Sequence, residues 1–308
     1  MTEPFLLGEH AYRGLSISRV VRVRARIAAK FLIESTRKPR ERARRIETLR
    51  RLSNTKKEKE ALVLGLGPSL GQLDPSKLSR LQREGSIEIF AVNAFAMSSL
   101  STALTPNHYV LTDPAYFGGD VGHYQSTSRA SPQLVWDYLA DHPEINIYIP
   151  HDRCAPTSIA SSRILYSNSL GLQGFSRNVS PVRPRGYLAI TAYTALAIST
   201  WFGYNRIFVM GIDNTQFRSM RLSAGMKVSL GASHAYTEDD GAANEIAIFR
   251  ASGVAGFFED VSRLFADLRL FSDFPIENLD ETTLVDAFPI ARDRDRFVHE
   301  TGNLTSDV

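Results

Sequence analysis

The chain has 308 residues, 43% of them hydrophobic, 22% charged and 10% aromatic, with a formal net charge of +3. That balance suits a globular protein with a sizeable core and excludes a wholly disordered chain, a collagen-like repeat and a polytopic membrane protein. No run approaches the roughly 18 uninterrupted apolar residues of a membrane span, and the single cysteine, Cys154, leaves no internal disulfide and no zinc cluster to expect.

The charge is unevenly distributed. Residues 1–60 hold 17 Lys and Arg against 7 acids, whereas the remainder holds 19 against 26. The apolar run Phe5–Leu7 is too short for a signal-peptide core and has no basic residue ahead of it. The expected location is therefore reducing and cytoplasmic.

From Ile17 to Leu52 there is no glycine and one proline, Pro39. The stretch predicts two helices, the second starting with Pro39 in its first turn and ending near Leu52. Arg19, Arg22, Arg26 and Lys30 share one helical face, while Ile17, Val20, Val21, Phe31 and Leu32 lie largely on another. Such a helix can lie on an anionic membrane surface, so residues 13–52 are read as a peripheral membrane or partner-docking element. The plainer alternative is a helix packed on the body with its charges in water. No aromatics are interleaved for base stacking, and no nucleic-acid partner is expected. Ser53–Glu60 reads as a linker, dividing a helical extension (1–60) from an α/β domain (61–308).

In that domain Ala61–Gly65 reads as a buried parallel strand, followed at once by Gly65-Leu66-Gly67-Pro68-Ser69-Leu70. A helix is expected around Pro75–Glu84. Further strands are predicted at Ile87–Asn93, Tyr109–Asp113, Ile145–Pro150 and Arg206–Met210, the last after a helix at Thr191–Phe202 and before Gly211-Ile212-Asp213-Asn214. Strands alternating with helices imply a doubly wound, mostly parallel sheet. Ligands of such sheets bind beyond the carboxyl ends of the strands, where Gly65–Ser69, Asn93, Asp113 and Gly211–Asn214 all fall.

Each candidate has a chemical reading and a plain one. Gly65 and Gly67 let backbone N–H groups approach a phosphate, or simply allow a tight turn. The loop is neither the G-x-G-x-x-G fingerprint nor a Walker loop. Asn93 can read a base or ribose through its amide, or cap the next segment. Asp113 and Asp213 can orient hydroxyls or hold a divalent cation, or cap helix ends. His234, in the polar run Gly231–Asp240, can act as a general base with Glu238 and Asp239 close by in sequence. His108, His123, His142 and His151 are read as structural, and the apolar helical spacing of Ala242–Leu270 as core.

Taken together, Gly65-Leu66-Gly67-Pro68-Ser69-Leu70, Asn93, Thr191, Gly211-Ile212-Asp213 and Ser233-His234-Ala235-Tyr236 resemble, in the same order, the pattern of the bacterial lipooligosaccharide sialyltransferases and the superfamily sharing their core. The resemblance spans about Ala61–Phe271. It implies a GT-A-like variant fold, a CMP-activated nonulosonic acid donor, a glycan or lipid-linked acceptor, and inverting transfer with no metal or other cofactor. It further implies that Gly65, Leu66, Gly67, Pro68 and Ser69 contact cytidine and phosphate and that Asn93 holds the nucleotide. Asp113 would stand where the family has a donor-site asparagine, and Thr191 near the residue that touches the sugar carboxylate. Asn214 would fall near a phosphate-binding tyrosine, Gly211, Ile212 and Asp213 would belong with it to the nucleotide- and donor-binding residues, and Tyr236 would line the donor. Three positions depart from the pattern. Leu66 replaces an asparagine, Asn214 replaces a tyrosine, and Glu238 stands where the catalytic histidine falls, which leaves His234 or Glu238 as the base. Other members of that superfamily include a pterin pyrophosphokinase. A Mg²⁺-dependent pyrophosphoryl transferase and a non-catalytic nucleotide-binding module are therefore the competing expectations.

Overall fold

The computed structural model describes residues 17–118, 132–214, 220–222, 228–230, 246–248 and 251–299. The described residues begin with two helices, α1 (Ile17–Thr36) and α2 (Pro39–Arg51). The α/β alternation follows as β1 (Glu60–Leu64), α3 (Pro75–Arg83), β2 (Ile87–Val92), β3 (His108–Val110), α4 (Pro132–Asp141), β4 (Asn146–Pro150), β5 (Ile164–Ser167), α5 (Thr191–Phe202) and β6 (Arg206–Met210). Short strands β7 (Met220–Leu222), β8 (Val228–Leu230) and β9 (Ile246–Ile248) form an antiparallel sheet of their own. Helix α6 (Ala251–Leu268) then leads to β10 (Ile276–Asn278).

The main sheet has the order β10-β6-β1-β2-β3-β4-β5, and every pairing in it is parallel. The fold class is therefore α/β, as expected from the alternation of elements. Successive residues of β1 point to opposite faces, and both faces are covered. Leu62 and Leu64 pack with Leu78 and Leu81 of α3 and Val135, Trp136 and Leu139 of α4. Ala61 and Val63 pack with α5 and with Ile46 and Leu49 of α2. Helix α2 thus packs with the sheet, and the Trp201 indole donates to Leu49 O at 2.9 Å. Thr191 to Ser199 of α5 are all buried, as befits a helix that is small and apolar on every side.

A buried charged cluster ties the amino ends of the strands together. The Glu88 carboxylate of β2 accepts hydrogen bonds from Lys56 and Lys59 (2.8 Å each), from the Tyr204 hydroxyl and from His108 Nε2 at 3.0 Å. His108 stacks on Phe90 with ring centroids 4.2 Å apart, and its Nδ1 meets the Tyr148 hydroxyl at 2.8 Å. Burial alone would raise the Glu88 carboxyl, but these donors outweigh it and hold it well below the usual range. For His108 burial wins and lowers the imidazole, against the pull of Glu88. The residue is structural, as its sequence context suggested.

Candidate functional site

The chain steps outward from β1 through β5 and then returns to β6, on the other side of β1. That reversal makes the carboxyl ends of β1 and β6 the topological switch point, where connections leave toward opposite faces and a crevice opens. Gly65–Ser69 follows β1 there, and Gly211–Asn214 follows β6.

These two loops are bonded to each other. Gly65 N–H donates to Met210 O at 2.7 Å and Gly67 N–H to Gly211 O at 2.8 Å. A Cβ on Gly65 would fall on Gly211 O, and one on Gly67 on the Asp213 carboxylate. Close approach of two backbones therefore explains why both positions are glycine. The two N–H groups expected to face a phosphate donate inside the protein instead, which corrects that part of the loop's reading. Ser69 completes the junction. Its hydroxyl donates to Asp213 Oδ1 at 2.5 Å and accepts from Gly211 N–H at 2.9 Å, while its N–H donates to Asp213 Oδ2 at 3.0 Å. Asp213 is buried, and both its oxygens serve the 3-10 turn Pro68–Gln72. Leu66 packs at the margin of both core layers, and Ile212 is buried among the residues of α5's face.

Asp113 is also a cap: its Oδ1 accepts from Ala115 N–H at 2.9 Å at the start of the 3-10 turn Pro114–Phe117. This local turn is why β3 stops at Val110, short of the predicted Asp113. Asp113 and Asp213 follow β3 and β6, three strand positions apart in the sheet. At a spacing of about 4.8 Å per strand they stand roughly 14 Å apart, too far to converge on one cation.

A polar cluster does form between β2, β3 and α5. Thr191 Oγ1 donates to Asn93 Oδ1 at 3.1 Å and lies 2.5 Å from Thr112 Oγ1. The hydroxyls close as a relay, Thr112 to Thr191 to Asn93, which leaves the Asn93 amide NH₂ with no hydrogen bond among the described residues. Asn93 has a left-handed backbone (φ 42°), and its carbonyl accepts from the Tyr109 hydroxyl at 2.5 Å. The Asn93 side-chain oxygen accepts from the Thr191 hydroxyl and Val92, not Asn93, stands at the cap position, so the capping alternative for Asn93 is not what the geometry uses.

Thr191 opens α5, whose N-terminus faces the carboxyl edge of the sheet. Ile190, the residue before it, supplies no side-chain cap, and the first turn carries no acid. The first N–H groups of this 12-residue helix are thus left without intrahelical partners beside Asn93 and Thr112, the arrangement that favours a phosphate or carboxylate. One turn further on, Asn214 Nδ2 donates to the Tyr193 hydroxyl at 3.3 Å, which donates in turn to Leu264 O at 2.8 Å. Asp267, buried on α6, accepts from Leu188 N–H at 2.6 Å and so anchors the segment leading into α5. Burial pushes its carboxyl up to about 6, against the pull of Leu188 N–H and Arg263.

The structure therefore brings Asn93 and Thr191 together, locks Gly65, Gly67, Ser69 and Asp213 into one junction, and leaves Asp113 as a local cap. His234, Tyr236 and Glu238 lie outside the described residues; they belong to 231–245, whose flanking residues Leu230 and Ile246 pair across β8 and β9. Thr112 is the functional candidate that sequence reasoning passed over. Its signal was a hydroxyl two residues beyond a buried strand, beside the more conspicuous Asp113.

No family model matches the chain, and no curated protein matches it. Among solved structures it is similar to a MAf glycosyltransferase from Magnetospirillum magneticum AMB-1, with a TM-score of 0.40 and 10% identity, covering 82% of this chain and 38% of that one. The chain thus spans less than half the length of that protein.

Proposed function

We propose that the protein is a glycosyltransferase that binds a nucleotide-activated sugar at the carboxyl edge of its sheet. One observation carries the reading. Asn93, Thr112 and Thr191 meet at an uncapped helix N-terminus beside the switch point, with the Asn93 amide free to donate. Backbone N–H groups of α5 suit the phosphate of the donor or a carboxylate on its sugar, and the amide suits a base or ribose. The order of the motifs from Ala61 to Phe271 favours a CMP-activated nonulosonic acid as donor.

The chemistry is a direct displacement. A base, His234 or Glu238, takes the proton of an acceptor hydroxyl as that oxygen attacks the anomeric carbon. The bond from this carbon to the phosphate oxygen breaks, its electron pair leaves with CMP, and the configuration inverts. The N-terminus of α5 stabilises the charge that gathers on the leaving phosphate.

We assign the acceptor side to a membrane-proximal location on the evidence of α1. Its Arg24, Ile27, Phe31 and Glu34 face the body, whereas Val21, Leu32 and Ile33 are more than half exposed. Exposed Arg22, Arg26 and Lys30 border that apolar strip, a pattern suited to an anionic lipid surface. Phe31, expected on the apolar outer face, instead turns toward the protein.

The test is release of CMP from a CMP-nonulosonate, with and without a glycan acceptor. Turnover is expected in the wild type without added Mg²⁺. It should fall at least a hundredfold in either His234→Ala or Glu238→Gln, at little cost to CMP binding. CMP binding with no turnover in the wild type would leave a nucleotide-binding module as the function.

A further inference from the structure

A second site lies on the same sheet edge, one strand beyond Thr112. The register Val110↔Tyr148 places the end of β3 beside the end of β4, and His151 follows β4 directly. There the junction of α1 and α2 meets the loops after β4 and β5 around a partly open cavity of about 330 Å³. We propose that this cavity binds a phosphate group.

The charges are arranged for an anion. Glu41, on the wall, is already satisfied by Lys38 at 3.2 Å and Arg45 at 3.1 Å. Glu34 pairs with Lys30 at 3.7 Å along α1. Two guanidinium groups on the wall are not matched by any carboxylate among the described residues. Arg42 donates only to main-chain oxygens, Ser35 O at 3.2 Å and Glu34 O at 3.5 Å, and the Arg37 side chain makes no bond among the described residues. Asp152 is the remaining acid, and it is opposed by Arg185, which stands behind the wall. The Arg185 guanidinium donates to Ser169 O, while its buried Nε has no partner. His151 contributes no competing negative charge. Its Nδ1 accepts from Ser169 N–H at 3.1 Å, so the neutral ring keeps its proton on Nε2, and burial lowers its pKa. Helix α2 begins at this wall with its N-terminal dipole end, which adds to the preference for an anion.

Arginines free of carboxylate partners are suited to phosphate oxygens, which they bind in bidentate fashion. The site is distinct from the Asn93–Thr191 cluster and its anion chemistry stands alone. Its role as the place for the phosphate of a second substrate rests on the transferase reading.

The test is calorimetric titration of the full chain with inorganic pyrophosphate. Saturable binding is expected, weakened at least tenfold by Arg37→Glu and by Arg42→Gln, and unchanged by Arg80→Glu on α3. Arg37 is exposed and unbonded, so its variant should melt as the wild type does. A second arm measures retention on phosphatidylcholine vesicles with and without 20% phosphatidic acid. Retention that also depends on Arg37 and Arg42 identifies a lipid headgroup as the source; pyrophosphate binding alone identifies a soluble phosphate. No saturable pyrophosphate binding, or binding that neither variant weakens, would overturn the proposal. CMP binding read on the same variants separates its failure from failure of the donor site.

Discussion

Ser69 and Asp213 come from loops 144 residues apart in sequence and are joined at the switch point by two hydrogen bonds, both donated by Ser69. Removing either partner strands a buried polar group, so Ser69→Ala and Asp213→Ala should each cost about 1–3 kcal/mol. Because the two share their bonds, the double variant should cost less than the sum by about 1 kcal/mol. Urea unfolding of the four proteins checks this, and simple additivity would refute it. Asp267 offers a pH test. Its folded-state pKa of about 6 lies above the unfolded carboxylate value, so its contribution to stability is complete below pH ~4 and lost as pH rises through about 6. A carboxyl carbon resonance of Asp267 that titrates near 4 would contradict this. The motif residues were legible in sequence, but their reasons were only partly so. Gly65 and Gly67 were read for phosphate approach because a glycine after a strand signals close approach without saying by what. The partner turned out to be the second loop of the same edge.

Among the elements, the sequence marked those whose two faces are both buried. β1 and β6 each carry four consecutive apolar residues, β2 is buried along its whole length with Glu88 as its one charge, and α5 runs from Thr191 to Phe202 as predicted. The edge strands escaped notice for a physical reason. β5 alternates between half-buried and buried residues over four positions, and β10 is a three-residue Ile-Glu-Asn, so neither carries an apolar run. The amino-edge cluster could not be read either, since Glu88 meets Lys56, His108 and Tyr204 only after β2 and β3 pair beside the segments entering β1 and β6. Glu88→Gln should cost about 1–3 kcal/mol at pH 7, since it weakens the acceptor for the buried Tyr204 hydroxyl and His108 ring, while Lys56 and Lys59 keep partial access to water. Glu88 and His108 both titrate below their unfolded values. Their contributions are therefore present above pH ~4.3 and ~6.5 respectively and fall away as pH drops. In an Asp267→Asn background, which removes the opposing trend of that carboxyl, unfolding midpoints across pH 4–7 should fall toward acid, with the upper part of the slope lost on adding His108→Phe.

At the scale of the molecule, a basic pair of consecutive helices stands beside an acidic body. α2 is held by Ile46 and Leu49 in the core, and α1 extends from it with one face outward. The composition shift at residue 60 marked a change of charge, while the packing runs across it. Removing two exposed apolar side chains of α1 from a membrane interface forfeits about 1.5–3 kcal/mol each. Leu32→Asp with Ile33→Asp should therefore weaken binding to phosphatidylglycerol vesicles more than tenfold while leaving the melting temperature unchanged. Equal retention of wild type and variant in vesicle sedimentation would remove α1 from the interface.

The central claim is that the edge defined by Asn93, Thr112 and Thr191 holds a nucleotide. Its most direct test is the thermal midpoint of wild type and Thr191→Val against CMP, with ATP as the comparison and each with and without Mg²⁺. Binding to the folded state raises the midpoint by mass action. The account predicts a rise with CMP that is indifferent to Mg²⁺, and an affinity about tenfold weaker in Thr191→Val for the loss of roughly 1.4 kcal/mol of hydrogen bonding. A rise with ATP and Mg²⁺ alone, or a CMP response that Thr191→Val leaves intact, would contradict it.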